Sequence, residues 1–267
     1  SQTIDSIEIS QIVTNNENAE HVLAKTETPN METETMSFIP YDKRPLDITT
    51  KAVYYPITGN LYNYYQSIEA FVSEVKRQFE SVDYVINATG YDVRKSLDAH
   101  TEYDIENCIN INLRGTVFLS KAFLKIMKEV KGSTIVHMGG FIDGGLAFPY
   151  YSVDVATRSG MFAFIEAMNR ELKQENSQVR FTYFCPDPAD TLAEKPYHPI
   201  WKEMRTKIRT KEEVAIALKK VLVKQKNVSY MGGSIQTIFT KINHISPKLS
   251  NFLLMNQYSK ILKRYLG

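Results

Sequence analysis

Short apolar runs alternate with long amphipathic ones along most of this 267-residue chain, and that alternation constrains its fold more than any other feature. Strand-sized runs fit residues 7–13, 35–39, 51–57, 84–87, 133–137, 180–184 and 228–231. Helical spacing fits residues 64–79, 103–128, 152–175 and 211–225, the last opening on Thr210 and Glu213 at the separation of a capping box. Strands that alternate with helices through right-handed crossovers predict an α/β fold, a doubly wound parallel sheet of Rossmann-like type covered on both faces. A single domain is expected over residues 1–247, followed by an amphipathic basic helix over 248–267.

Composition narrows the class. Hydrophobic residues make up 43% and charged residues 23%, the balance of an ordinary globular protein. With 32 Lys and Arg against 30 Asp and Glu, the net charge of +2 gives no general argument for nucleic acid, although basic residues crowd at the C-terminal end. Cys108 and Cys185 fall in a predicted helix and a predicted strand, which favours reduced core thiols and a cytoplasmic setting over a disulfide. Residues 1–18 are polar and acidic, unlike a secretory signal, and no run of 18 apolar residues suggests a membrane span. Residues 25–35, rich in Thr and Glu, suit a surface loop.

A series of short strings stands in a telling order. Asn87-Ala88-Thr89-Gly90 follows a strand, and Ile111-Asn112-Leu113-Arg114-Gly115-Thr116 lies in a helix. Tyr151-Ser152-Val153-Asp154-Val155-Ala156 opens another helix, and Cys185-Pro186-Asp187-Pro188-Ala189-Asp190-Thr191 ends a strand. In register with the strand Ser133-Thr134-Ile135-Val136-His137-Met138, these five resemble the N-N-A-G, V-N-L-x-G, Y-S-x-S-K-A and C-P-G-x-x-x-T landmarks of the short-chain dehydrogenase/reductase family. The resemblance covers residues 82–191. It implies NAD(H) or NADP(H) as cofactor, Tyr151 and Asn112 at catalytic positions, and Asn87, Gly90 and Thr191 at cofactor-binding ones.

The same resemblance marks what the chain lacks. The family's glycine-rich phosphate turn maps onto Thr14 to His21, where Asn15, Ala19 and His21 replace the glycines and Glu17 and Glu20 bring negative charge to a diphosphate site; no glycine precedes Gly59. The lysine four residues after the tyrosine, which shares its helix face and lowers its pKa, is Val155 after Tyr151, or Asp154 after Tyr150 in the other register. Arg158 comes one turn later with a guanidinium ill suited to the lysine's role. The serine position runs into Gly139-Gly140, and the glycine of C-P-G is Asp187. No histidine spacing suggests a metal site.

Each feature also has a plainer reading. Asn112 suits a helix kink once its lysine partner is missing, Tyr151 belongs to the aromatic cluster Phe148-Pro149-Tyr150-Tyr151, and His137 suits a strand end. The helices at 103–128 and 152–175 correspond to those through which family members pair. They carry more apolar residues than one buried stripe needs, Met161 and Ile165 among them. Residues 248–266 mix apolar and basic side chains, fit to dock on the domain, a partner or an anionic membrane. The expectation is a non-catalytic subunit without cofactor, forming a homo- or hetero-oligomer through those two helices. The alternatives are an NAD(P)H-dependent ketoreductase with an atypical cofactor site, and a small-molecule binder using the cleft around Tyr150, Tyr151 and Trp201.

Overall fold

The computed structural model describes residues 33–37, 49–53, 61–140 and 147–267. Four parallel strands, β3 (Tyr84–Asn87), β4 (Thr134–Met138), β5 (Arg180–Cys185) and β6 (Val228–Tyr230), form a sheet in the order β3-β4-β5-β6. Helix α1 (Leu61–Gln78) precedes β3. Between β3 and β4, after a loop with a 3-10 turn at Leu97–Ala99, residues 102–127 are continuous helix in three parts: α2 (Glu102–Asn107), a π-helical stretch (Cys108–Gly115) and α3 (Thr116–Met127). Helix α4 (Ser152–Gln174) joins β4 to β5, and α5 (His198–Glu203) and α6 (Lys211–Lys224) lie between β5 and β6. Helices α7 (Gly233–Ile245) and α8 (Pro247–Leu266) follow.

Strands β4 and β5, buried on both faces, explain why the sheet needs helices on both. Ile135, Phe181, Tyr183 and Cys185 pack with Ile68, Val72, Phe123, Met127, Met161 and Ile165 of α1, α3 and α4. The neighbouring positions Val136 and Phe184 point the other way, onto Val214 and Val221 of α6. The doubly wound α/β arrangement expected from the alternation of elements is therefore the one observed. Helix α6 begins on the predicted capping box, with Thr210 Oγ1 accepting from Glu213 N and Glu213 Oε2 from Thr210 N.

Three sequence expectations need correction. Strands β1 (Thr33–Ser37) and β2 (Thr49–Val53), expected in the parallel sheet, instead pair antiparallel as a two-stranded sheet of their own, with Thr35 opposite Lys51. The eleven residues that separate them are fewer than the dozen or so that a crossover to a parallel neighbour needs. The loop expected at 25–35 accordingly ends in strand at Thr33. Second, the helix predicted over 103–128 is interrupted by the π-helical stretch. Third, Met161 and Ile165 are each only 1% exposed, inside the core under α4, so they carry no partner surface. The strand expected at 7–13 and the glycine-free turn at Thr14 to His21 lie outside the described residues.

Candidate functional site

The carboxyl ends of β3 and β4 and the start of α4 bring most of the singled-out residues together. Asn87, the last residue of β3, is buried, and its amide is fully used. Its Nδ2 donates to His137 Nδ1 at 3.0 Å and to Thr116 Oγ1 at 3.3 Å, while its Oδ1 accepts from the backbone and hydroxyl of Thr89. Since Nδ1 of His137 accepts, Nε2 carries the proton and donates to Ser120 Oγ at 2.8 Å, and the Ser120 hydroxyl passes its own to Thr116 O at 2.7 Å. Burial pushes His137 down to about 3, so the ring is neutral at physiological pH. His137, next to last in β4 as its strand-end reading expected, is also the centre of a buried network.

Asn112 sits in the π-helical stretch, where the wider turn is a frequent companion of special side-chain placement. Its Oδ1 accepts from Tyr91 N at 2.8 Å. Its Nδ2 lies near four acceptors but has two protons to give, and Tyr91 O at 2.9 Å and Asp154 Oδ1 at 3.0 Å are the nearest. The residue therefore staples the loop after β3 to the first turn of α4.

That first turn holds a buried ion pair. Arg158 Nε reaches Asp154 Oδ1 at 3.3 Å, Arg158 Nη1 donates to Met138 O at 3.2 Å, and both side chains are less than a tenth exposed. Arg158 Nη2 lies only 2.6 Å from where a Cβ on Gly90 would stand. Gly90 thus makes room for the guanidinium. Val155, at the position the lysine would occupy, is buried with Tyr151, Trp201 and Leu262.

Tyr151 opens α4 directly after Tyr150, whose φ of 67° is left-handed and costly for a bulky residue. The ring is 3% exposed and Oη has no hydrogen-bond partner among the described residues. Burial raises the phenol well above its ordinary range, and the cation of Arg94 opposes that only in part. Tyr151 is therefore a neutral donor rather than a base.

Arg94, which sequence reasoning missed, is the second buried cation. Its guanidinium lies 3.9 Å from the centre of the Tyr197 ring, 5.5 Å from that of Tyr151 and 5.6 Å from that of Trp201. It forms a two-pronged pair with Glu194 at 2.8 and 2.9 Å and also bonds Asp92. Burial alone would lower its pKa; Asp92 and Glu194 outweigh it and keep the group charged. Arg94 and Glu194 stand 100 residues apart, so no local spacing could have revealed the pair. Trp201, expected to line an open cleft, is 1% exposed and donates Nε1 to Glu194. Leu254, Leu262 and Leu266 of α8 pack into the same cluster, so the C-terminal helix docks on the domain.

Thr191 is buried but belongs to a separate loop, where its carbonyl accepts from the backbones of Glu194 and Lys195. No hydrogen bond among the described residues joins it to Asn112 or Tyr151. Asp187 is buried and paired with Arg209 Nε at 2.8 Å. Cys108 and Cys185 are both buried, and burial raises Cys108 to about 12. Among the described residues no cluster of His, Cys, Asp and Glu could hold a metal ion, and no helix is long and apolar enough to cross a membrane.

The residues that the family resemblance assigns to a dinucleotide and to its lysine partner do not fit those roles well: the Asn87 amide has no hydrogen-bonding capacity left, Arg158 fills the space beside Gly90, and Val155 supplies no cation. The chemistry these groups can do together is to hold one another, plus one neutral phenol with a proton to donate.

Comparison with known proteins gives a consistent family and a broad likeness. A sequence profile described as short chain dehydrogenase matches residues 43–199. Carbonyl reductase family member 4 of Xenopus laevis is 27% identical over 114 residues, which cover 42% of this chain and 47% of that protein. Dehydrogenase/reductase SDR family member 7B of Mus musculus is 31% identical over 114 residues, covering 42% of this chain and 35% of that protein. The chain spans about half the length of the curated relatives it matches. Among solved structures, a short chain dehydrogenase/reductase from Burkholderia phymatum in complex with NAD superposes with a TM-score of 0.60 at 15% identity, over 72% of this chain and 75% of that one. A short chain dehydrogenase from Burkholderia cenocepacia J2315 in complex with NADP gives 0.58 at 20% identity, over 74% and 77%. At such identities the likeness shows the fold alone.

Proposed function

This chain belongs to the short chain dehydrogenase family, and on that premise we propose that it is a non-catalytic member that works as a subunit, pairing through α3 and α4 with a second copy or a relative. One observation carries the reading: Asn112 Nδ2 and Arg158 Nε converge on Asp154 Oδ1, at 3.0 and 3.3 Å, beside a buried Val155 where the family resemblance places a lysine. The polar groups that would relay protons are spent on one another. Pairing is supported by a groove of about 290 Å³ lined by Val117, Leu124, Phe164 and Met168 and edged by Lys121 and Lys125.

The comparisons weigh toward a second reading, an NAD(P)H-dependent ketoreductase acting on a carbonyl compound. Matched relatives are named as carbonyl reductases and oxidoreductases, and two structural neighbours carry NAD or NADP. The unpartnered Oη of Tyr151 could donate to a carbonyl oxygen.

Calorimetric titration of the full chain with NADH and NADPH separates the two. The non-catalytic reading expects no measurable binding; a dissociation constant in the low micromolar range, about −8 kcal/mol, overturns it. Turnover of ketones that Tyr151→Phe abolishes would establish the second.

A further inference from the structure

The charge of this chain is distributed very unevenly. Nine of its 32 Lys and Arg, but none of its 30 Asp and Glu, lie beyond Glu213, so the last 54 residues carry +9 and everything before them −7. Such asymmetry points to an anionic partner.

The structure shows where that charge meets apolar surface. On α7, Ile238, Lys241 and Ile245 recur at three and four residues, so they share one helix face, and all three are exposed. Ile245 is 84% exposed. Helix α8 turns Ser250, Leu254, Leu262 and Leu266 inward. It leaves Leu249 and Phe252 exposed on its other side and Met255 at the edge of the buried arc, with Phe252 62% exposed, and Lys248, Lys260 and Lys263 are exposed along the same helix. These five large apolar side chains are exposed within 18 residues of chain, and exposed apolar surface on that scale commonly marks an interaction site.

We propose that the corner formed by α7 and α8 is a docking surface for an anionic membrane, with Ile238, Ile245, Leu249, Phe252 and Met255 entering the acyl boundary and the surrounding lysines meeting lipid phosphates. The apolar groups decide the partner. Phosphodiester backbones offer nothing to isoleucine, leucine or methionine, whereas the headgroup boundary rewards both halves of such a surface. Eight of the nine basic residues are lysines, point charges suited to a diffuse anionic surface, and the lone arginine, Arg264, is paired with Glu203.

The test is sedimentation of the full chain with vesicles of phosphatidylcholine alone and with about a third phosphatidylserine. Binding is expected only to the anionic vesicles, and it should fade as salt shortens the screening length to about 3 Å near 1 M. Ile245→Ser with Phe252→Ser should weaken it at least about tenfold, as should Lys241→Gln with Lys248→Gln. All four sites are exposed, and circular dichroism checks that each pair folds; if one pair does not, the other decides. No binding to anionic vesicles, equal binding to neutral ones, or full retention by a folded variant overturns the proposal. Binding of duplex DNA without vesicle binding overturns it in favour of nucleic acid.

Discussion

Asn112 Nδ2 lies 3.0 Å from Asp154 Oδ1, across 42 residues of sequence and between two different helices. This single contact ties the π-helical stretch to the first turn of α4, and the same carboxylate oxygen also receives Arg158 Nε at 3.3 Å. Two donors on one buried oxygen make Asp154 the hub of the site.

Removing that hub should be expensive. Asp154→Ala removes the carboxylate that Arg158 Nε bonds inside the fold, and breaking a buried pair in this way typically costs about 3–5 kcal/mol. Urea denaturation measures it directly. A loss below about 1 kcal/mol would show that Arg158 finds an adequate substitute partner.

Acid should weaken the fold through His137. Its folded pKa of about 3 lies below an unfolded value of about 6.5. The unfolded chain therefore binds the extra proton in between, and stability present above pH 6.5 or so is lost as pH falls toward 3, by at most about 1.4 kcal/mol per unit. Comparing urea midpoints at about pH 7 and about pH 5 for the wild type and His137→Gln tests this. The variant should show the shallower dependence; parallel slopes would exclude His137 as the source.

Tyr151→Phe removes a buried hydroxyl that has no partner among the described residues. The expected result is an unchanged or higher melting temperature, since an unsatisfied buried polar group costs about 1–3 kcal/mol. A clear drop would reveal a hydrogen bond made to some other part of the chain.

The pairing surface and the core can be told apart by charge. Leu124→Glu and Met168→Glu, in the groove between α3 and α4, should yield a folded monomer by light scattering. Ile165→Asp, in the core, should unfold the chain, because an unpaired carboxylate is not tolerated in a dry interior. A wild type that is monomeric at micromolar concentration, and captures no homologous subunit, would remove the pairing proposal.

What the sequence disclosed follows from range. The strands at Tyr84, Thr134 and Arg180 and helix α4 are written in local periodicity. The capping box at Thr210 is local too. The caging of Arg94 by Glu194, Tyr197 and Trp201 depends on tertiary folding and left no such trace. Nor does an apolar helix residue announce which neighbour buries it: Ile165 and Phe164 look alike in sequence, yet the first faces the sheet core and the second edges the groove.

The pairing of Asn87 with His137 has a further consequence for how the chain finds its fold. In the ladder between β3 and β4 these two residues stand directly opposite each other. Parallel strands that are apolar throughout can slide past one another at small cost, because every offset still buries oil against oil. A slip of even one residue here would strand an imidazole and an amide in the interior, each missing the bonds that satisfy it. The network thus acts as a proofreading mark, penalising every alignment of the sheet except the one in which Asn87 meets His137.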